Sequence, residues 1–200
     1  MCGRYSLFLE NNIRELNQIV YGIEKRYHQA TEKMKTGEIF PTDMMPVLAA
    51  NDDKIIPGLA AWGFPEVSGK KIIINARSET VFKKPMFQES FEFRRCVIPS
   101  TGFYEWSRSM NRQKFLFRLP QTELLYMAGI WDIFKGQPHF VILTTEANKS
   151  MEDVHDRMPL ILSPKIIWDW IFDSKKALQI LSQTPPNLEK QMEISQTEKE

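Results

Sequence analysis

Cys2 stands directly behind the first methionine, and removal of Met1 would leave a cysteine with a thiol and a primary amine on adjacent carbons. That pair can capture one aldehyde twice: the amine condenses to a Schiff base, and the sulfur then closes a five-membered thiazolidine ring. An α-amino group with an ordinary pKa of about 7.7–8.0 is neutral in roughly one molecule in seven at pH 7, so the nucleophile exists before any tuning. Such a site also needs groups that orient the cysteine and move protons. Three stretches carry residues of those types: Ile74-Asn75-Ala76-Arg77, Gly102-Phe103-Tyr104-Glu105-Trp106 and Val154-His155-Asp156-Arg157-Met158-Pro159. Asn75 offers an amide donor and acceptor, Glu105 a carboxylate, and His155 a ring that titrates near neutrality.

Each residue also has a plainer reading. Cys2 can pack as a small apolar side chain, Asn75 can cap a turn, and Glu105 can face solvent from an alternating strand. Asp156 can simply hold the His155 ring. Arg77 fits a surface ion pair, Trp62 and Trp106 fit a core, and Cys96, in an apolar run, reads as inert packing. His28 and His139 have no sequence neighbours that suggest chemistry.

The elements that would position these residues are mostly short strands. Ile13, Leu16, Ile19 and Val20 predict a helix from Asn11 to Tyr21, capped by asparagines and ended at Gly22. Val47 to Ala50 and Ile55 to Trp62 read as a hairpin, and Ile72 to Ile74 as a core strand. Arg94 to Ile98, Phe103 to Trp106, Lys114 to Leu119, Leu124 to Trp131 and His139 to Thr145 read as further strands. Helix is compatible with the residues on either side of Pro85, with Ser163-Pro164 through Ile171, and with Lys175 to Leu181. Strands this frequent, without regular intervening helices, predict an α+β fold on a mainly antiparallel, partly closed, barrel-like sheet with a few peripheral helices.

The 200 residues, 42% hydrophobic and 26% charged, fit a single globular domain over residues 1–182. Residues 183–200, rich in Gln, Glu, Thr and Pro, read as a poorly ordered tail. Two cysteines give neither a disulfide framework nor a spaced metal set, which points to a reducing compartment. No apolar run approaches a membrane span, and Arg4 and Glu10 interrupt anything like a signal peptide, so the chain reads as soluble and cytoplasmic. No oligomerisation segment is evident, and a monomer is expected. The net charge of +1 hides an asymmetry: Lys70 to Arg118 holds eleven Lys and Arg against four Asp and Glu, leaving fifteen against twenty-one elsewhere. If those cations converge in space, the expected partner is a phosphate backbone; a merely solvated charged face is the alternative.

Met1 to Tyr5, Trp62-Gly63, Ile74 to Thr80, Arg95-Cys96 through Pro99, Gly102 to Trp106 and Val154 to Leu162 together resemble, in order, the motifs of the SRAP family (SOS response-associated peptidase). The resemblance implies covalent capture of abasic sites in single-stranded DNA during the DNA damage response, by a thiazolidine between Cys2 and the ring-opened deoxyribose. It also implies abasic-site lyase activity and self-removal of Met1 as accompanying activities, and a bacterial cytoplasmic, nucleoid-associated setting. By motif, Cys2 is the nucleophile, Asn75 orients the cysteine or sugar, Glu105 shuttles a proton at the amine, and His155 acts as acid or base on the sugar. Arg4 and Arg77 resemble the family's phosphate-binding arginines. Phe40, Pro41, Trp62 and Trp106 are placed like its wedging and stacking residues, where each stacked base is worth about 1–3 kcal/mol. No metal or other cofactor is implied, and no membrane.

Two departures from the family pattern stand out. Pro85 occupies a position where some relatives carry a DNA-binding arginine, with Lys84 or Lys83 as the nearest substitute, and an ammonium is not a guanidinium fork. The C-terminal stretch also lacks a recognisable closing strand, so one sheet edge is expected to be open or differently covered. Two other readings remain at this level. Met-Cys-Gly also opens N-terminal-nucleophile amidohydrolases, which, like an autoprocessing peptidase, would use the same thiol. A non-catalytic reader of single-stranded DNA would use the basic and aromatic residues and survive Cys2→Ala.

Overall fold

The computed structural model describes residues 2–9, 13–28, 30–66, 69, 71–108 and 112–193. In chain order the elements are β1 (Arg4–Leu7), α1 (Arg14–Tyr27), β2 (Gly37–Ile39), β3 (Met44–Asn51), β4 (Lys54–Trp62), β5 (Phe64–Pro65), β6 (Ile72–Ile73) and β7 (Asn75–Arg77). They continue with α2 (Pro85–Phe93), β8 (Arg95–Ser100), β9 (Gly102–Trp106), β10 (Lys114–Arg118), β11 (Leu125–Phe134), β12 (Gln137–Glu146) and β13 (Arg157–Pro159). β14 (Ile161–Leu162), α3 (Ile167–Phe172), α4 (Ser174–Ile180) and β15 (Glu189–Met192) complete the series.

Five strands close on themselves. β3 pairs with β4, β4 with β12, β12 with β11, β11 with β8, and β8 with β3, and only the β4–β12 pairing is parallel. A closed ring has no free edges to protect. β7 and β13 extend along β12, and β14 along β11. A second, wholly antiparallel sheet runs in the order β15-β10-β9-β1-β2. The result is the expected α+β fold with mostly antiparallel sheets and a barrel-like closure.

Strand alternation sorts the ring's side chains into two cores. Cys96, Ile98, Met127, Phe140 and Ile142 face one core, shared with Tyr5, Leu7, Phe103 and Phe117 of the second sheet. The intervening Val97, Ala128, Val141 and Leu143 face another, closed over by Phe87 and Phe91 of α2 and by Trp170, Ala177 and Ile180 of α3 and α4. Burial of each large apolar side chain is worth about 1.5–3 kcal/mol, so a ring covered on both faces is the main reservoir of stability.

Arg95 fastens the helices to the ring. It is 4% exposed, and its guanidinium donates to the carbonyls of Phe91 and Glu92 in the last turn of α2, at 2.7 and 2.8 Å. It also donates to Trp170 and Ile171 in α3, at 2.5 and 3.0 Å. Carbonyls at helix C-termini lack intrahelical partners, and one planar cation here satisfies two such ends.

Three local expectations change, and a fourth lies outside the described residues. The first helix does not stop at Gly22 but runs to Tyr27; a Cβ at Gly22 would lie 2.8 Å from Pro57 Cγ, so the glycine permits close packing on β4. Asn11 and Asn12, expected to cap that helix, lie outside the described residues. Ile72 to Ile74 is not a core strand: among the described residues two-residue β6 pairs only with β5, and Ile72 is 46% exposed. The chain then leaves that pairing to place Asn75 alongside β12. Helix near Pro85 forms only on its C-terminal side, with the proline in the first turn of α2, where its missing N–H costs nothing.

The expectations of a loose tail and of no closing strand in the C-terminal stretch are also corrected as far as Glu193. β15 pairs with β10 in the register Phe115↔Met192 to Arg118↔Glu189, so β10 is covered on that side. Asn148 donates to the carbonyls of Pro185 and Pro186, Leu188 N donates to Ser150 Oγ at 3.0 Å, and Leu188 is itself buried. Residues 194–200 lie outside the described residues. No described helix is long and apolar enough to cross a membrane.

Arg95→Met would leave those carbonyls without a donor, each unmet buried polar group costing about 1–3 kcal/mol. A loss of at least about 3 kcal/mol in denaturant unfolding is expected, with an unchanged slope.

Candidate active site

The chain start is held between two strands. β1 pairs with β9 in the register Arg4↔Tyr104 and Tyr5↔Phe103, which brings the first residues beside Gly102–Trp106. Cys2 is fully buried, and its carbonyl accepts a hydrogen bond from Asn75 Nδ2 at 2.9 Å. Asn75 comes from β7, seated on β12 through the pairing Ile142↔Asn75. Its side-chain oxygen is buried with no hydrogen-bond partner among the described residues, leaving an acceptor next to the cysteine for an amine or a sugar hydroxyl.

Trp62 supports this arrangement from below. Its indole N–H donates to the Ile74 carbonyl at 3.0 Å, its ring meets Tyr5 edge-on at 5.1 Å, and it stacks on Phe140 at 6.5 Å. Gly63 follows at φ +114°, and a Cβ there would fall 2.1 Å from Ile72 Cγ2, so the turn requires glycine. Trp62 is fully buried. The expectation that it stacks beside a lesion is therefore corrected: it has no face to offer a base, and instead positions the backbone that carries Asn75.

Glu105 is 5% exposed, and its charge acts on both Cys2 and His155. Burial first, and the Glu105 charge second, push the Cys2 thiol far above its ordinary value, so the resting sulfur is a thiol that needs a base to become nucleophilic. His155, 8% exposed, is shifted the other way: burial lowers its pKa and outweighs the opposing pull of Glu105. Arg157 N–H donates to His155 Nδ1 at 2.9 Å, and Arg108 Nη2 lies 3.1 Å from Nε2. Burial thus favours the neutral ring, whose Nδ1 accepts from the Arg157 N–H. Asp156 Oδ1 lies 2.9 Å from both His155 Nδ1 and Arg108 Nη2.

The outer rim is cationic and aromatic. The Arg4 guanidinium sits over Phe40 at 4.2 Å and Trp106 at 4.9 Å from the ring centres. Phe40 is 44% exposed and Pro41 and Trp106 half-buried; the turn that presents Phe40 is braced by Asp43, whose carboxylate accepts from Phe40 N at 2.9 Å. Arg77 and Lys84 are exposed. The basic segment does not converge as a whole. Arg95 is buried on carbonyls and Arg94 is paired with Glu89 and Asp132, while Arg77, Lys83, Lys84 and Arg108 remain at the surface.

Sequence reasoning gave no role to several residues that matter here. Arg157 grips Glu79 with two bonds, at 2.6 and 2.9 Å, and donates to the Thr144 carbonyl, tying the segment after His155 to the segment after Asn75. Both lie inside the quoted motifs, but nothing in their spacing pairs them. Arg108 lies outside every motif and carries no sequence signal. Glu38 and Lys114 join Arg4 at the rim, from strands whose adjacency only the fold reveals.

The family model described as SOS response associated peptidase (SRAP) matches residues 1–200. The chain belongs to the SRAP family. It is 33% identical over 185 residues to the abasic site processing protein YoqW of Bacillus subtilis, covering 86% of this chain and 80% of that one. It is 27% identical over 179 residues to the abasic site processing protein YedK of Escherichia coli, covering 86% and 79%. A crystal structure of a protein from Bacteroides thetaiotaomicron shares the fold, with a TM-score of 0.77 at 22% identity over 96% of this chain and 91% of that one.

Hydrogen bonds from Arg157 hold the Glu79 carboxyl below its ordinary 4.5. A depressed carboxylate pKa stabilises the fold above the unfolded value, and the contribution fades as pH falls through the folded one. Glu79→Gln is accordingly expected to lower Tm at pH 7, with the deficit shrinking below about pH 4.5 in thermal melts across pH.

Proposed function

We propose that this SRAP protein captures abasic sites in single-stranded DNA as a covalent adduct through Cys2, once Met1 is removed. The observation that carries this reading is the Asn75 bond to the Cys2 carbonyl, with a free acceptor on Asn75 and the Glu105 charge felt by both Cys2 and His155. The names of the relatives, abasic site processing proteins, support the same class of target.

The chemistry follows from what each group can do. The ring-opened sugar presents an aldehyde; the Cys2 amine adds to it, and the carbinolamine loses one water to give the imine. The Glu105 carboxylate takes the proton shed by the amine and returns it to the departing hydroxyl. The Cys2 sulfur then adds across the C=N bond, passing its proton to the amine nitrogen through a neighbouring base, and the thiazolidine closes. Net, one water leaves. Neutral His155 exchanges a proton with the sugar oxygen during ring opening, and Asn75 fixes the cysteine so that amine and sulfur meet the same carbon. β-Elimination from the imine is a side path, suppressed as sulfur closes the ring. Arg4 and Arg77 take phosphates while Phe40, Pro41 and Trp106 fill the space left by the missing base, and exposed Lys84 supplies a further cation for the backbone. Unstacking costs least where no base stands, which favours an abasic target.

Met1-free Cys2→Ala is expected to give no adduct with an abasic oligonucleotide on a denaturing gel. Asn75→Ala and Glu105→Gln should slow adduct formation by about 10²-fold or more while leaving a slow product. Undiminished adduct in Cys2→Ala would overturn the reading.

A further inference from the structure

The rim holds a charge cluster that the crosslinking chemistry does not require. The sheet order β10-β9-β1-β2 places Lys114 on one outer strand of this quartet and Glu38 on the other, with Arg4 and Tyr104 facing each other between them. The Lys114 ammonium nevertheless reaches across β9 and β1 to Glu38 Oε1. Arg4 Nη1 meets the other oxygen, Oε2, at 3.2 Å. One carboxylate therefore bridges two cations with its two oxygens, as a phosphate bridges two cations with two of its own. The side chains of Arg4, Glu38 and Lys114 keep 30%, 32% and 21% of their surface exposed, so an incoming anion can reach them.

The surroundings suit a nucleotide. Lys114 Nζ lies 4.0 Å over the Tyr104 ring and 5.8 Å over Trp106, and Arg4 lies between Trp106 and Phe40. Rings interleaved with cations form the kind of platform on which single strands stack while their phosphates are neutralised. The rings hold both cations in place whether or not Glu38 is bound to them.

We propose that Arg4 and Lys114 together form a two-cation phosphate subsite, and that Glu38 is a built-in stand-in for the phosphate, which a DNA strand must displace. Resting on the single-stranded DNA reading above, this makes Glu38 an attenuator of DNA affinity and Lys114 a phosphate contact. Displacement leaves the carboxylate close to a second anion, which weakens binding. It also means that fewer small anions are released when DNA arrives, because Glu38 already occupies the cations. The attenuation would favour release from intact single strands over retention, leaving covalent capture to select the abasic site.

The test is equilibrium binding of an undamaged single-stranded oligonucleotide across a salt series, with wild type, Glu38→Gln, Lys114→Gln and the double variant. Glu38→Gln should bind roughly three- to tenfold tighter, with a steeper dependence of log K on log salt. Lys114→Gln should bind more weakly, its slope shallower by about 0.7, the change expected for one lost contact to single-stranded phosphate. In the double variant the gain from removing Glu38 should shrink, since one of the cations it shields is gone. Unchanged or weaker binding by Glu38→Gln overturns the attenuator, and an unchanged slope in Lys114→Gln overturns the phosphate contact. In both cases wild-type binding leaves the DNA reading standing. A wild type that binds no single strand at any salt overturns both.

Discussion

One hydrogen bond, from Asn75 Nδ2 to the Cys2 carbonyl, carries a demand that the rest of the molecule serves. Chain ends fray unless something ties them down, and a nucleophile on a frayed end meets its target in too many geometries to react well. The bond works only if Asn75 is itself immobile. β7 is therefore laid along β12, a member of the closed ring, and the Trp62 indole pins the carbonyl just before Asn75. On the other side, β1 is clasped between β2 and β9, so that Cys2 leaves a strand already fixed by two neighbours. Closure of the ring, burial of Trp62 and the two-faced core all lead to the stillness of one carbonyl.

The same burial sets the resting protonation states. Removing water from around Cys2 disfavours a thiolate, and the neighbouring Glu105 charge disfavours it further. Burial disfavours a charged ring at His155. The sulfur thus rests as the thiol and the imidazole neutral, so that protons move only when a substrate arrives to accept and supply them. A buried thiol is also shielded from adventitious oxidation and exchange, because only the thiolate reacts quickly. The Arg157–Glu79 clamp keeps the His155 segment in register with the Asn75 segment, although the two are far apart in the chain.

The fold class was legible in the sequence from frequent alternating strands, and Cys2, Asn75, Glu105 and His155 could be nominated by type and motif as candidates for the proposed chemistry. What escaped notice did so for identifiable reasons. Gly22 looked like a helix stop because a lone glycine in a helical pattern gives no hint of Pro57 packing across it. β15 is four exposed residues, Glu189 to Met192, three of them polar, held by backbone bonds to β10, so neither alternation nor hydrophobicity announces it. Trp62 had the right residue type for stacking on a base, but exposure, not type, decides that role. Counting charges from Lys70 to Arg118 mixed Arg95, consumed by helix carbonyls, with cations at the surface such as Arg77. Pairings across strands, Glu38 with Lys114 above all, exist only once the sheet order is known.

The central claim is that Cys2, freed of Met1, condenses with an abasic sugar through both its amine and its sulfur. Intact mass of the purified protein, before and after incubation with a single-stranded oligonucleotide bearing one abasic site, tests it most directly. The account predicts a starting mass without methionine, followed by a heat-stable gain equal to the oligonucleotide less one water. A fully trimmed protein that gains no mass under those conditions would contradict it.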